Sequence, residues 1–250
     1  MSKTQNDELQ DLLHDPNVGI DVVDRKANLA KAKRATRLVT IAAIIVSVWL
    51  WVPIPYDVAL FVGILFPVIP ILVWSKYKYV VTLLNYTKQN VRPNISTALT
   101  FPPLFLCLKS LVSYDLLNYW SCIVPVLIVL SIIVSVLYFL LPKTGKGVGK
   151  YDYLILALGG LPYCYGSVVM TNCHYDNSKP LHYETTVLSK FESGSRSTSY
   201  NLHLKKWGST LKETDVRITH DEYDKIKPGQ TVTISLKAGL LNIPWYYLTD

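Results

Sequence analysis

Between Leu38 and Met170, more than half of the chain, the only carboxylates are Asp57, Asp115 and Asp152. Apolar stretches recur through the same interval, and a hydrocarbon core about 30 Å thick takes roughly 20 apolar residues to cross as a helix. Water-soluble domains carry about 25% charged residues; this chain has 17%, with 50% hydrophobic residues. These features imply a polytopic membrane bundle of α-helices.

The apolar stretches predict five spans, at 38–52, 58–74, 95–112, 120–141 and 151–170, within a transmembrane domain of residues 38–171. Trp49 and Trp51 mark the far interface of the first, as belt aromatics do. Pro67 and Pro70 are expected to kink the second, since neighbouring helices re-satisfy the carbonyls a proline frees. The third is the least apolar and contains Pro102, Pro103 and Lys109. Charge decides whether it crosses. If it does, residues 1–37, the loop from Lys76 to Arg92 and the loop from Lys143 to Lys150 share one side, and Pro53–Asp57 and Ser113–Tyr119 on the other side hold no lysine or arginine. The positive-inside rule then puts the N-terminus in the cytoplasm and the C-terminus outside. Lys109, near the outer end, snorkels to the headgroups. In the tail, Asp7–His14 has a short apolar edge (Leu9, Leu12, Leu13) and reads as a solvated segment.

Residues 178–250 have a different pattern. His182–Glu192 alternates, with Tyr183, Thr185 and Val187 on one face. The turn Ser193-Gly194-Ser195-Arg196 follows, then alternation resumes through Tyr200, Leu202 and Leu204, which is a hairpin signal. Lys212–Thr219 is a further strand, His220–Ile226 a short helical turn and Lys227-Pro228-Gly229-Gln230 a turn before Val232, Ile234 and Leu236. These short strands predict a small all-β barrel or sandwich.

Tyr183-Glu184-Thr185-Thr186-Val187 opens this domain and Ile243-Pro244-Trp245-Tyr246 closes it. With the spans before them, these stretches give the chain an order of parts that resembles a group of uncharacterised bacterial multi-pass inner-membrane proteins with a C-terminal extracytoplasmic β domain. The resemblance implies a bacterial inner membrane and a periplasmic domain. It carries no catalytic or binding residues to transfer.

The chemistry-bearing residues are sparse. No span has an ionisable side chain near its centre, which weighs against a proton-coupled carrier. Cys107, Cys122, Cys164 and Cys173 form no paired-cysteine motif, and His174, Asp176 and His182 match no closed zinc spacing. No catalytic residue, metal or cofactor is expected, and no enzyme activity. The net charge of +7 lies mostly in loops beside the spans, so nucleic acid is not an expected partner. Gly159, Gly160 and Pro162 either break the last span, as in helices that line binding sites, or allow close packing through small residues. Arg196 and Lys206 at the hairpin, with Trp245 and Tyr246 at the end of the chain, are candidate partner-binding residues, because aromatic and arginine side chains dominate interface hot spots. Trp245 and Tyr246 also suit a final strand that pins the domain. The expected role is a non-enzymatic binding or protection protein of the envelope, in its concrete form an immunity protein that meets a membrane-targeting toxin outside the cell. A small channel or facilitator is the rival class, and an accessory subunit of an envelope complex a third.

Overall fold

The computed structural model describes residues 3–52, 54–83, 91–140, 150–194, 198–208 and 212–249. They fall into two compact units, Met1–Lys109 with Val126–Ser167, and Ser110–Pro125 with Val168–Asp250.

The first unit begins with α1 (Lys3–His14) and α2 (Val22–Trp51). Asp21 caps α2, its carboxylate accepting from Asp24 N at 2.8 Å, and Asp24 adds negative charge to the first turn. The helix starts well before residue 38, where the first span was expected. Its basic stretch is rich in Ala, Lys and Arg, all strong helix formers, so the chain is helical before it is apolar. The tail is not the solvated segment its composition suggests. Leu12 and Leu13 are buried, because the Arg25 guanidinium gathers the carbonyls of Leu13 (2.6 Å) and Gly19 (2.8 Å) and the Asn28 amide donates to Val18 O.

The second apolar stretch divides into α3 (Tyr56–Leu65) and α4 (Val68–Lys76) at Phe66–Pro67, as a proline lacking its N–H requires. Tyr163 donates to the Ile64 carbonyl beside this break, at 2.7 Å. The third stretch is a continuous helix, α5 (Ser96–Ser113), through Pro102 and Pro103, and Lys109 lies one turn from its end. A 3-10 turn at Tyr119–Cys122 leads into α6 (Ile123–Leu140). Along α6, Ile128, Ile132 and Val136 are exposed at every fourth position, a stripe suited to lipid and a liability in water. Helix α7 (Lys150–His174) runs unbroken through Gly159, Gly160 and Pro162. Among the described residues, four helical stretches are long and apolar enough to cross a bilayer: Val22–Trp51, Tyr56–Lys76, Ser96–Ser113 and Tyr119–Phe139.

The second unit is a nearly closed antiparallel barrel. Its strands are β1 (Asp115–Leu116), β2 (Leu181–Ser193), β3 (Ser199–Leu204), β4 (Thr214–Ile218), β5 (Thr231–Lys237) and β6 (Trp245–Thr249), with a short helix α8 (His220–Lys225) before β5. The order is β1-β6-β5-β2-β3-β4. Strand β2 serves two partners: Leu181–Thr186 pair with β5, and Val187–Ser193 with β3. A bulge between Val187 and Ser189 marks the change, bending the strand as bulges do. Thr185, Val187, Leu202, Leu204, Val216, Ile218, Val232 and Ile234 point inward, so the alternation in the sequence is the inside–outside alternation of the barrel. Trp207 fills the centre and donates from Nε1 to Thr214 Oγ1 at 2.7 Å. Helix α8 is held by a capping box, Thr219 with Glu222, and by Lys190, which donates to the Tyr223 and Ile226 carbonyls at its C-terminal end.

The barrel unit is larger than residues 178–250. It takes in the 110–125 connection, which supplies β1, and the last two turns of α7. Two residues in a loop have no period to read, so β1 left no mark in the sequence pattern.

Candidate functional site

The last turn of α7 is fastened into the β5–β6 loop. Asn172 is fully buried; its Oδ1 accepts from Leu241 N at 2.9 Å and its Nδ2 donates to Ile243 O at 2.9 Å. One turn on, Asp176 Oδ2 accepts from Gly239 N at 3.0 Å and Trp245 Nε1 at 2.8 Å, and Oδ1 from Ser178 N at 2.8 Å. Lys237 Nζ donates to the Asp176 carbonyl at 2.6 Å and lies 3.9 Å from its carboxylate. Burial favours the protonated acid, but the bonds from Ser178, Trp245 and Gly239 outweigh it and hold the carboxyl below its ordinary pKa. Gly239 has φ +81°, and a side chain there would run into Ile243 O and the Asn172 amide.

Trp245 is therefore half-buried and fixed. Besides its bond to Asp176, its ring meets Tyr114 edge-on and stacks on Tyr247. Tyr246 is buried against Trp207, donates to Asp215 O at 3.4 Å, and burial pushes its phenol pKa up. Of the aromatic trio at the end of the chain, Tyr247 is the one turned outward, 38% exposed.

The polar outer surface lies on β3 and β4. His203 faces Asp215 in register; its Nδ1 is 2.6 Å from Asp215 and its Nε2 is 3.1 Å from Glu213. Carboxylates at both ring nitrogens suit the imidazolium, which alone donates from both. Those two hydrogen bonds raise the His203 pKa above its ordinary value. Arg217, exposed, is the next outward residue on β4 and faces Asn201. The Asn201 amide ties the hairpin together, donating to Ser193 Oγ at 3.1 Å and Ser199 O at 3.0 Å. Asp115 on β1 reaches this strand from the other side. Burial raises its pKa, while the charge and backbone N–H of Arg217 pull it down. Glu213, His203, Asp215 and Arg217 thus form a charged belt of both signs on β3 and β4, with Asp115 half-buried at its edge.

Lys206 is exposed just past β3, and Arg196 lies outside the described residues. Among the described residues, no group of three His, Cys, Asp or Glu side chains is placed to hold a metal ion. His182 Nδ1 contacts Ser235 Oγ at 2.8 Å, and His174 packs edge-on against Tyr175. The His182–Ser235 contact was invisible in sequence, 53 residues apart; Ser235 is wholly buried and also bonded by Thr249.

Within the first unit, the small residues divide into two kinds. A side chain at Gly166 would come within 2.7 Å of Cys107 N, backbone against backbone, and one at Gly63 within 2.6 Å of Leu50. At Gly160 the nearest atom would be Leu130 Cδ1 at 3.6 Å, an ordinary contact. Close helix packing therefore falls on Gly166, while Gly160 lines a cavity of about 290 Å³ between α4, α5, α6 and α7.

No protein-family model, curated protein or solved structure matches this chain.

Proposed function

We propose that this is a non-enzymatic binding and protection protein of a bacterial inner membrane. It has five spans, a cytoplasmic N-terminus and a barrel on the periplasmic side, and it captures a protein that arrives from outside. An immunity protein against a membrane-targeting toxin is the form we favour. The fifth span is α7, and with it the basic loops fall on one side of the membrane.

The observation that carries this reading is the charged belt on β3 and β4. Mixed charge presented on a rigid sheet sets partner choice and register more than raw affinity. The order β6-β5-β2-β3-β4, with α8 between β4 and β5, is the connectivity of OB-type Greek-key barrels. Such barrels use the second and third strands, with the loops joining strands one to two and four to five, as their ligand face, which here means β3 and β4 with the β2–β3 and β5–β6 connections. This analogy supports the choice of face and says nothing of the ligand. The cavity of the first unit supports the facilitator less well, because each hydroxyl at its wall donates to the chain itself: Ser96 to Asn94, Thr100 to Ser96 O and Tyr163 to Ile64 O. A water path needs polar partners.

The test compares three substitution sets in cells that express the full chain and are challenged with envelope-directed toxins. Arg217→Glu and the pair Arg196→Glu with Lys206→Glu are expected to abolish protection, by roughly 1–3 kcal/mol of binding at each hot spot, with membrane insertion unchanged. Gly160→Leu is expected to leave protection intact. Solute uptake that stops with Gly160→Leu, alongside silent belt substitutions, would replace this reading with the facilitator.

A further inference from the structure

The cavity beside Gly160 is a wall of carbon. Trp74, Leu99, Pro103, Ile133, Leu137 and Gly160 line it, with Ser96, Thr100 and Tyr163 as its hydroxyls. Those hydroxyls are already bonded within the chain, so the lining offers an entering molecule apolar contact and little else. Apolar cavities of this kind stay dry and take up hydrocarbon guests. The size is also informative. At about 290 Å³ the cavity falls just below the range of drug-sized ligand sites, which leaves room for one small guest.

The cavity has a mouth. Ile132 and Val136 on α6 and Val68 on α4 belong to its lining and are 58%, 47% and 51% exposed. The two on α6 sit on the same every-fourth stripe as Ile128, the stripe that would face lipid. In a bilayer the mouth therefore opens into hydrocarbon, where acyl chains are the abundant guest. Gly160 contributes space: a side chain there would meet Leu130 at an ordinary 3.6 Å, in contrast to Gly166, where it would run into the α5 backbone.

We infer that this cavity is a binding site for a single acyl chain of a membrane phospholipid, entering past Ile132 and Val136 of α6 and held along Gly160. The site is independent of the barrel and of whatever the barrel captures. It rests on the helices lying in a bilayer.

The experiment uses the full-length protein in phosphatidylcholine nanodiscs that contain phosphatidylcholine with a photoreactive diazirine in one acyl chain. After irradiation, adducts are mapped by mass spectrometry. The expected result is labelling of Leu99–Pro103 and of Ile132–Leu137 that saturates as the probe fraction rises, alongside non-saturating labelling of outward Leu127 and Ile128. Gly160→Leu fills the cavity, and Val136→Trp blocks its exposed mouth without touching the packed interior; each is expected to remove the saturable labelling and spare that of Leu127 and Ile128. Cavity labelling that fails to saturate, or that survives either variant, overturns the site. Labelling of Leu127 and Ile128 with none in the cavity overturns it too, and absence of both removes the membrane placement on which it rests.

Discussion

Asp176 shows how much a single side chain can decide. In sequence it stands in a polar stretch with Cys173, His174 and His182, which reads at most as a loose metal cluster. In the fold its carboxylate is the meeting point of Ser178 N, Gly239 N, Trp245 Nε1 and Lys237, and only 2% of the side chain is exposed. Removing the carboxylate leaves Ser178 N, Gly239 N and Trp245 Nε1 without their acceptor and takes the counter-charge from Lys237, which keeps the residue's carbonyl, so Asp176→Ala is expected to destabilise the barrel by roughly 3–5 kcal/mol, measured by denaturant unfolding of the full chain in detergent. A loss under about 1 kcal/mol would mean that water already reaches the carboxylate. His203 makes the opposite contribution with pH. Its folded-state pKa is raised by its bonds to Asp215 and Glu213, so its stabilising effect is complete below the ordinary value of about 6.5 and fades as pH rises through the folded value. The wild-type barrel should melt at lower temperature as pH climbs from about 6 to 8, and His203→Gln should flatten that slope. An unchanged slope would show that the carboxylates do not hold the imidazolium in solution. Neither role was legible beforehand, because both depend on residues that folding brings together.

At the scale of elements, local chemistry was more informative. The strands β2 to β5 and the helix α8 lie where alternation and turn residues put them, since the period of a half-buried strand is written in the sequence itself. The proline break between α3 and α4 was legible for the same reason: a residue with no N–H acts locally. Glycines were less so. Gly160 and Gly166 look alike in the sequence, and only what α7 packs against at each separates them: Leu130 of α6 at the first and the α5 backbone at the second. Gly166→Val would drive a side chain into Cys107 N, at 2.7 Å from its first carbon. Overpacking costs about 1–3 kcal/mol when side chains can yield; here the obstacle is backbone, so a loss at or beyond the top of that range is expected in the thermal stability of the purified protein. Gly160→Leu should keep most of the stability, and equal losses from the two would mean that the helix is uniformly tight.

For the whole molecule, the chain order conceals how the barrel is completed. Its closing strand, Asp115–Leu116, pairs with Trp245 and Tyr246, and its β5–β6 loop is built around Asn172 and Asp176. A fragment of residues 178–250 contains the alternating strands but none of these supports. Without Asn172 the N–H of Leu241 and the buried C=O of Ile243 lose their partner, at a cost of about 1–3 kcal/mol for each buried group left unsatisfied. For a small domain whose total stability is about 5–15 kcal/mol, several such losses matter. The fragment alone is therefore expected to melt without cooperativity, followed by far-ultraviolet circular dichroism. Joining residues 110–125 and 168–177 to it through flexible linkers should restore a sharp transition. If 178–250 melts cooperatively unaided, β1 and the end of α7 decorate a barrel that is already complete. The same dependence bears on topology, because a barrel built from the α5–α6 connection and the end of α7 requires both on one side of the membrane. Reporter fusions after Asp115 and Asp250 should then agree with each other and read extracytoplasmic, while fusions after Lys88 and Lys146 read cytoplasmic by the positive-inside rule. Opposite signals from Asp115 and Asp250 would be incompatible with the pairing of β1 to β6, and a cytoplasmic signal from both would move the charged belt to the inner face and remove the case for a partner arriving from outside.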